Sequence, residues 1–165
     1  MAYSVSSFLM PGHQGFVGDS GEEEFLATIL AHLQIHPGME REFETLIREL
    51  FAGTGPEPAK RQYEYWRSAE PGLYYCLLAF DDFHGFLTHQ TSDHHEQASP
   101  ELGKLIEKMR LEWVDPVQGA SELPPTDMQG LPDDADELTA RYHKLFAAKL
   151  QDWWQPLRSA GLESR

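Results

Sequence analysis

From Phe25 to His36 the chain reads FLATILAHLQIH, with Ile29, Ala31, Leu33 and Ile35 on one side and Thr28, Leu30, His32, Gln34 and His36 on the other. Period two over this length predicts a strand with one apolar face, and Pro37-Gly38 ends it. Met39, Phe43, Leu46, Ile47, Leu50 and Phe51 then recur at helical spacing, with Glu and Arg filling the other face and Gly53 as the stop. Gln62–Arg67 (QYEYWR) and Leu73–Phe80 (LYYCLLAF) are strand-like runs joined by Ala69-Glu70-Pro71-Gly72, a predicted hairpin.

Asp81-Asp82 caps a helix carrying Phe83, Phe86 and Leu87, with a polar, histidine-rich continuation to about Ala98. Ser99-Pro100-Glu101 reads as a second helix start, with Leu102, Leu105, Ile106 and Met109 as its apolar stripe. Leu111–Val114 is the last expected strand. Beyond Gly119 comes a proline-rich linker to Pro132, then a capping box at Asp134 and Glu137. An apolar face follows through Leu138, Tyr142, Leu145, Phe146, Trp153 and Leu157, and such a helix needs a surface to lie on.

Three segments result. Residues 1–21 are a turn-rich arm. Residues 22–117 are an α+β domain ordered strand, helix, strand, strand, helix, strand. Residues 118–165 are linker and amphipathic helix.

Charge changes the picture by exclusion. Thirteen Lys and Arg against 27 Asp and Glu leave a net charge of −14. Such a surface repels phosphate backbones and anionic lipid, so neither nucleic acid nor membrane is an expected partner. No 18-residue apolar window and no basic, apolar leader is present. The single cysteine, Cys76, lies in an apolar run and reads as a small core hydrophobe suited to a reducing cytoplasm.

Two groups of residues stand out chemically. His84, His89, His94 and His95 share one stretch, and His89 follows Phe86 and Leu87 closely enough to point toward the core. Their spacing matches no HExxH or zinc-finger pattern, so no metal is expected. A site through His89, Asp93 and His94 or His95 is the least favoured alternative. Tyr63, Tyr65, Trp66, Tyr74, Tyr75, Phe80, Phe83 and Phe86 crowd a short span. They suit either a core or a pocket for a flat aromatic ligand. No nucleophile elbow, Cys-His signature or phosphate loop occurs.

Three local patterns in this order resemble the antibiotic biosynthesis monooxygenase family. Leu33-Gln34-Ile35-His36-Pro37-Gly38 followed by Met39-Glu40-Arg41-Glu42-Phe43 is similar to its V-x-P-G-x-x-x-x-F opening. Tyr63–Gly72 looks like its Y-E-x-x-x-S-x-E-D-P hairpin, and Phe86–His95 like its A-F-x-x-H-x-x-S-x-x-H helix.

The resemblance spans about Phe25 to Val117. It implies a ferredoxin-like β-α-β-β-α-β domain whose homodimer forms an α/β barrel, the sheets face to face and one pocket per subunit. It would give Leu30 and His32 a partner sheet to bury against. It implies oxygenation of a small aromatic, quinol or polyketide-like molecule by O2 with no cofactor. His89 falls at the helix histidine and is the candidate catalytic base or anchor. Trp66, Tyr75 and His95 are candidate substrate-binding residues.

Heme-degrading relatives carry Asn, Trp and His where this chain has Ala31, His89 and Ser99, which argues against that branch. The acid and Trp frequent late in the second hairpin strand appear as Leu78 and Phe80. A non-oxidative cyclase or isomerase, or a non-enzymatic binding protein of the same fold, are the alternatives.

Overall fold

The computed structural model describes residues 25–147 and 150–160, so the arm expected over 1–21 lies outside the described residues. The elements are β1 (Ala27–Ile35), α1 (Glu40–Thr54), β2 (Lys60–Arg67), β3 (Leu73–Phe80), α2 (Phe83–Gln90), α3 (Asp93–Leu105), β4 (Ile106–Trp113), α4 (Glu137–Phe146) and α5 (Gln155–Ala160). The strands form an antiparallel sheet in the order β2-β3-β1-β4. This is the ferredoxin-like α+β plan. The sheet of one chain is open, not closed on itself.

The period-two pattern of β1 is realised. Ile29, Ala31, Leu33 and Ile35 are buried under the helices, while Leu30, His32 and Gln34 are half-buried on the outer face. Opposite residues of an antiparallel pair share a face. Tyr65, Cys76, Ala31 and Leu111 therefore make one row toward the helices, and Trp66, Tyr75, His32 and Arg110 make the neighbouring row on the outer face. Gly72 turns the hairpin at φ +72°, and a Cβ there would meet the Gln34 amide 2.8 Å away. Its carbonyl accepts from Ile35 N at 2.8 Å, tying the turn to β1.

The elements depart from the expected ones in four places. The helix break falls at Thr91-Ser92, where the Ser92 hydroxyl donates to the His89 carbonyl at 2.7 Å. Pro100 lies inside α3 instead of starting a helix. Ile106 and Met109 belong to β4, because pairing with Ile35 and Leu33 of β1 outweighs their helical spacing. Lastly, α1 continues through Gly53 to Thr54 and is capped by Gly55.

The C-terminal segment folds back onto the domain. Asp136, not Asp134, caps α4 by accepting from Thr139 N at 2.7 Å. Tyr142 of α4 is buried, and the Phe146 carbonyl accepts from the Trp113 indole at 2.9 Å. From α5, Arg158 makes a two-point pair with the Asp115 carboxylate and also donates to Thr126 O at 2.7 Å. The continuous helix expected through Leu157 is thus two short helices.

Candidate functional site

The apolar face of the sheet and helices α2, α3 and α4 line a half-open cavity of about 370 Å³. Ile29, Ala31, Leu33 and Leu78 supply its aliphatic floor. Tyr63, Tyr65 and Cys76 form one wall, His89 and His95 a second, and Tyr142 and Phe146 close it from α4. Its lining is mostly apolar with a few convergent polar groups, the usual composition of a small-molecule site.

His89 stands in the last turn of α2, whose first turn is pinned by Asp82 accepting from Gly85 N at 2.7 Å. Phe83, Phe86 and Leu87 bury the same face of that helix, and His89 follows them inward to 1 % exposure. Its ring stacks on Phe80 at 5.0 Å and meets the Tyr63 ring edge-on at 5.2 Å. Nδ1 lies 3.1 Å from both carboxylate oxygens of Glu57. An ionised carboxylate only accepts, so Nδ1 carries the proton and donates. In the uncharged form of the ring the lone pair would then fall at Nε2, which is buried and has no hydrogen-bond partner.

Glu57 comes from the loop between α1 and β2, with Pro56 and Pro58 on either side to stiffen it. Glu57 N donates to Thr54 O at 3.1 Å and Glu57 O accepts from Lys60 N at 3.2 Å, which fixes the loop. A second imidazole reaches the same carboxylate: His94 Nε2 is 3.1 Å from Glu57 Oε1. The sequence alone does not point to Glu57, and it offers Tyr63 and Tyr65 only within the crowd of aromatics that suits either a core or a pocket. The clues were present in the two flanking prolines and in the i, i+2 spacing of the tyrosines.

Burial favours the neutral forms of His95, Tyr63, Tyr65 and Cys76. Burial, aided by the neighbouring His89, pushes the His95 pKa down to about 4. Burial also raises Tyr63 and Tyr65 well above the usual phenol range, and their hydroxyls are 3.0 Å apart. Cys76 is pushed up to about 12 by burial, so it is a thiol and not a nucleophilic thiolate. His89 and a hydrogen-bonded pair of protonated phenols thus stand together in the wall.

Two of the four residues predicted from sequence, His89 and His95, meet in this cavity with their rings 5.2 Å apart. Trp66 and Tyr75 share the row on the outer face of the sheet and do not line it. Tyr75 packs edge-on against His32 at 5.2 Å, and Trp66 is 59 % exposed. A more open groove of about 570 Å³ runs along β2 past Trp66 and Arg67. Its central carboxylate, Glu44, is already held by Arg67 and Tyr74, with its pKa lowered to about 2, chiefly by the Arg67 hydrogen bond. Among the described residues no helix is long and apolar enough to cross a membrane.

Known proteins agree with this architecture. Residues 26–101 match the sequence profile of the family described as antibiotic biosynthesis monooxygenase. No curated protein matches the sequence. Among solved structures the chain is similar to PA3566 from Pseudomonas aeruginosa, with 21 % identity and a TM-score of 0.53 over 57 % of this chain and 96 % of that one. It is also similar to Rv0793 from Mycobacterium tuberculosis, at 18 % identity, TM-score 0.54, 58 % of this chain and 99 % of that one. A third structure, of an antibiotic biosynthesis monooxygenase, aligns at 21 % identity and TM-score 0.52 over 56 % of this chain and 99 % of its own. At these identities the likeness speaks for the fold. Residues 26–101 are thus the part of the chain that is similar to the antibiotic biosynthesis monooxygenase family.

Proposed function

We propose that the chain is a monooxygenase that oxygenates a small acidic aromatic, quinol or polyketide-like molecule with O2, without metal, flavin or heme taking part in the reaction. The observation that carries this reading is His89, a residue lining the cavity, whose Nε2 is buried without a hydrogen-bond partner and whose Nδ1 is held by Glu57. Nε2 takes the acidic proton of the substrate, and the Glu57 carboxylate stabilises the imidazolium that forms. The resulting carbanion or phenolate passes an electron to O2, the two radicals combine to a peroxide that takes the imidazolium proton, and the hydroperoxide loses water to leave one oxygen of O2 as a carbonyl on the product. Tyr63 and Tyr65, both protonated, are the donors for the substrate oxyanion. The apolar floor and the α4 cover keep water from the intermediate.

His95, neutral beside His89, is a substrate contact in this scheme. Trp66 and Tyr75 have a different place. With Leu30 and Leu77 they present an aromatic and aliphatic outer sheet face, and a sheet face of this kind buries against another layer. We read it as the surface of a homodimer in which two sheets pack face to face. The buried Cys76 thiol suits a reducing, cytoplasmic setting.

The test is O2 uptake with an anthrone or a hydroquinone in buffer stripped of metal, run beside an anaerobic sample. O2-dependent product formation is the expected result. Turnover that proceeds equally without O2 would replace oxygenation with cyclase or isomerase chemistry in the same cavity.

A further inference from the structure

Behind His89, on the side away from the cavity, oxygen lone pairs crowd a small space. Glu57 presents both carboxylate oxygens to His89 Nδ1 at 3.1 Å and one of them to His94 Nε2 at 3.1 Å. The Ser92 hydroxyl lies 3.3 Å and the Thr54 hydroxyl 3.4 Å from His94 Nε2. Each hydroxyl has already given its proton elsewhere, Ser92 to His89 O at 2.7 Å and Thr54 to Leu50 O at 2.8 Å. Four oxygens therefore face two ring nitrogens, and the ring protons alone hold the arrangement together. A cation can replace those protons.

We propose that Glu57, His89 and His94 form a binding site for a divalent cation of the Zn2+ class. One ligand atom from each residue lies within 4.8 Å of the other two. Zn–N and Zn–O bonds of about 2.0–2.2 Å set ligand atoms about 3.3–3.5 Å apart around a tetrahedral ion. Both Glu57–His separations, at 3.1 Å, are already near that edge length. Two imidazoles and one carboxylate select a borderline ion over Mg2+ or Ca2+, which prefer oxygen sets.

Access fits as well. The side chains of His94 and Glu57 are 29 % and 17 % exposed, whereas His89 is closed off. The ion would enter from solvent and not through the cavity. Gly53 leaves room for the His94 ring: a Cβ there would sit 2.9 Å from it.

Occupancy moves a proton. A metal on His89 Nδ1 takes the lone pair of that nitrogen, so the neutral ring must carry its hydrogen at Nε2. Nε2 then presents N–H to the cavity in place of a lone pair, and Glu57 is drawn from His89 to the ion. The bound cation is thus an off-switch for a base at His89, set by tautomer alone.

The experiment is equilibrium dialysis of untagged, metal-free protein against Zn2+, with metal content measured for wild type, His94→Gln, Glu57→Gln and Gly53→Ala. Long-range 1H–15N spectra of the imidazoles are recorded with and without Zn2+. One Zn2+ per wild-type chain is expected, with affinity at least about 10-fold weaker in each variant, and the His89 proton moving from Nδ1 to Nε2 on binding. No retained Zn2+, or retention unchanged in His94→Gln, overturns the site. His94 is partly exposed, so that variant decides the matter even where Glu57→Gln perturbs folding. Neither readout involves substrate, so this inference and the oxygenase reading fail separately.

Discussion

At the scale of single residues the account turns on which nitrogen of His89 holds the proton. Glu57 decides this as a positioning residue, since it touches the ring and not the cavity. Glu57→Gln should lower kcat by at least about 10-fold with a smaller change in KM, because amide and carboxylate differ in how they hold the tautomer and the imidazolium. Steady-state kinetics on the substrate that supports O2 uptake reads that split, and an equal rise in KM with kcat intact would assign Glu57 to substrate binding instead.

His95 supplies a second residue-scale test. Its folded pKa of about 4 lies below the value of about 6.5 for a free imidazole. The unfolded chain therefore binds a proton that the folded chain refuses as pH falls from about 6.5 to about 4. Stability present above pH 6.5 is lost through that window, by roughly 1 to 3 kcal/mol. Urea midpoints measured across it should fall for wild type and fall less for His95→Gln.

His89 and His95 were legible in the sequence because they share a stretch and a polarity. Glu57 was not, since it is 32 residues from His89 in sequence and only the approach of the α1–β2 loop to α2 joins them. The same holds for metal: no short spacing pattern exists when the carboxylate comes from another element. Trp66 and Tyr75 were chosen over Tyr63 and Tyr65 because a strand buried on both faces hides its parity. Only the register of β2 on β3 assigns the faces.

At the scale of elements, α2 aims the site. It is short, its N-cap at Asp82 fixes the first turn, and His89 projects from the last. Asp82→Ala should cost about 0.5–2 kcal/mol in chemical denaturation, with loss of turnover larger than that stability change alone would produce. The strands and α1 were readable because their apolar spacing has one interpretation. The α3–β4 junction was not. Leu102, Leu105, Ile106 and Met109 satisfy a helical period, yet the edge of β1 claims Ile106 and Met109 for its ladder. Pro100, a strong starting signal, is tolerated within α3. Local propensity here yields to tertiary pairing.

At the scale of the whole molecule, the C-terminal segment and the outer sheet face decide what the single chain lacks. The family match ends at residue 101, yet α4 from beyond it closes the cavity through Tyr142 and Phe146. Its expected need for a surface was therefore met by the domain itself. Arg158→Ala leaves Asp115 unpaired at a site where both side chains are largely buried, and should destabilise the fold by about 3 kcal/mol in thermal or urea unfolding. The outer face carries the other prediction. Leu77→Lys places a charge at its centre, and analytical ultracentrifugation should find a dimer for wild type and a monomer for the variant, with the circular dichroism of both alike.

The central claim is that His89, its Nδ1 held by Glu57 and its Nε2 without a partner, starts an oxygenation that needs only O2. The most direct measurement is O2 consumption by His89→Gln beside wild type, in metal-free buffer, on the same anthrone or hydroquinone. A loss of about 10²–10⁴-fold in kcat, with the fold unchanged by circular dichroism, is the predicted result. O2 consumption at the wild-type rate in a folded His89→Gln protein would contradict it.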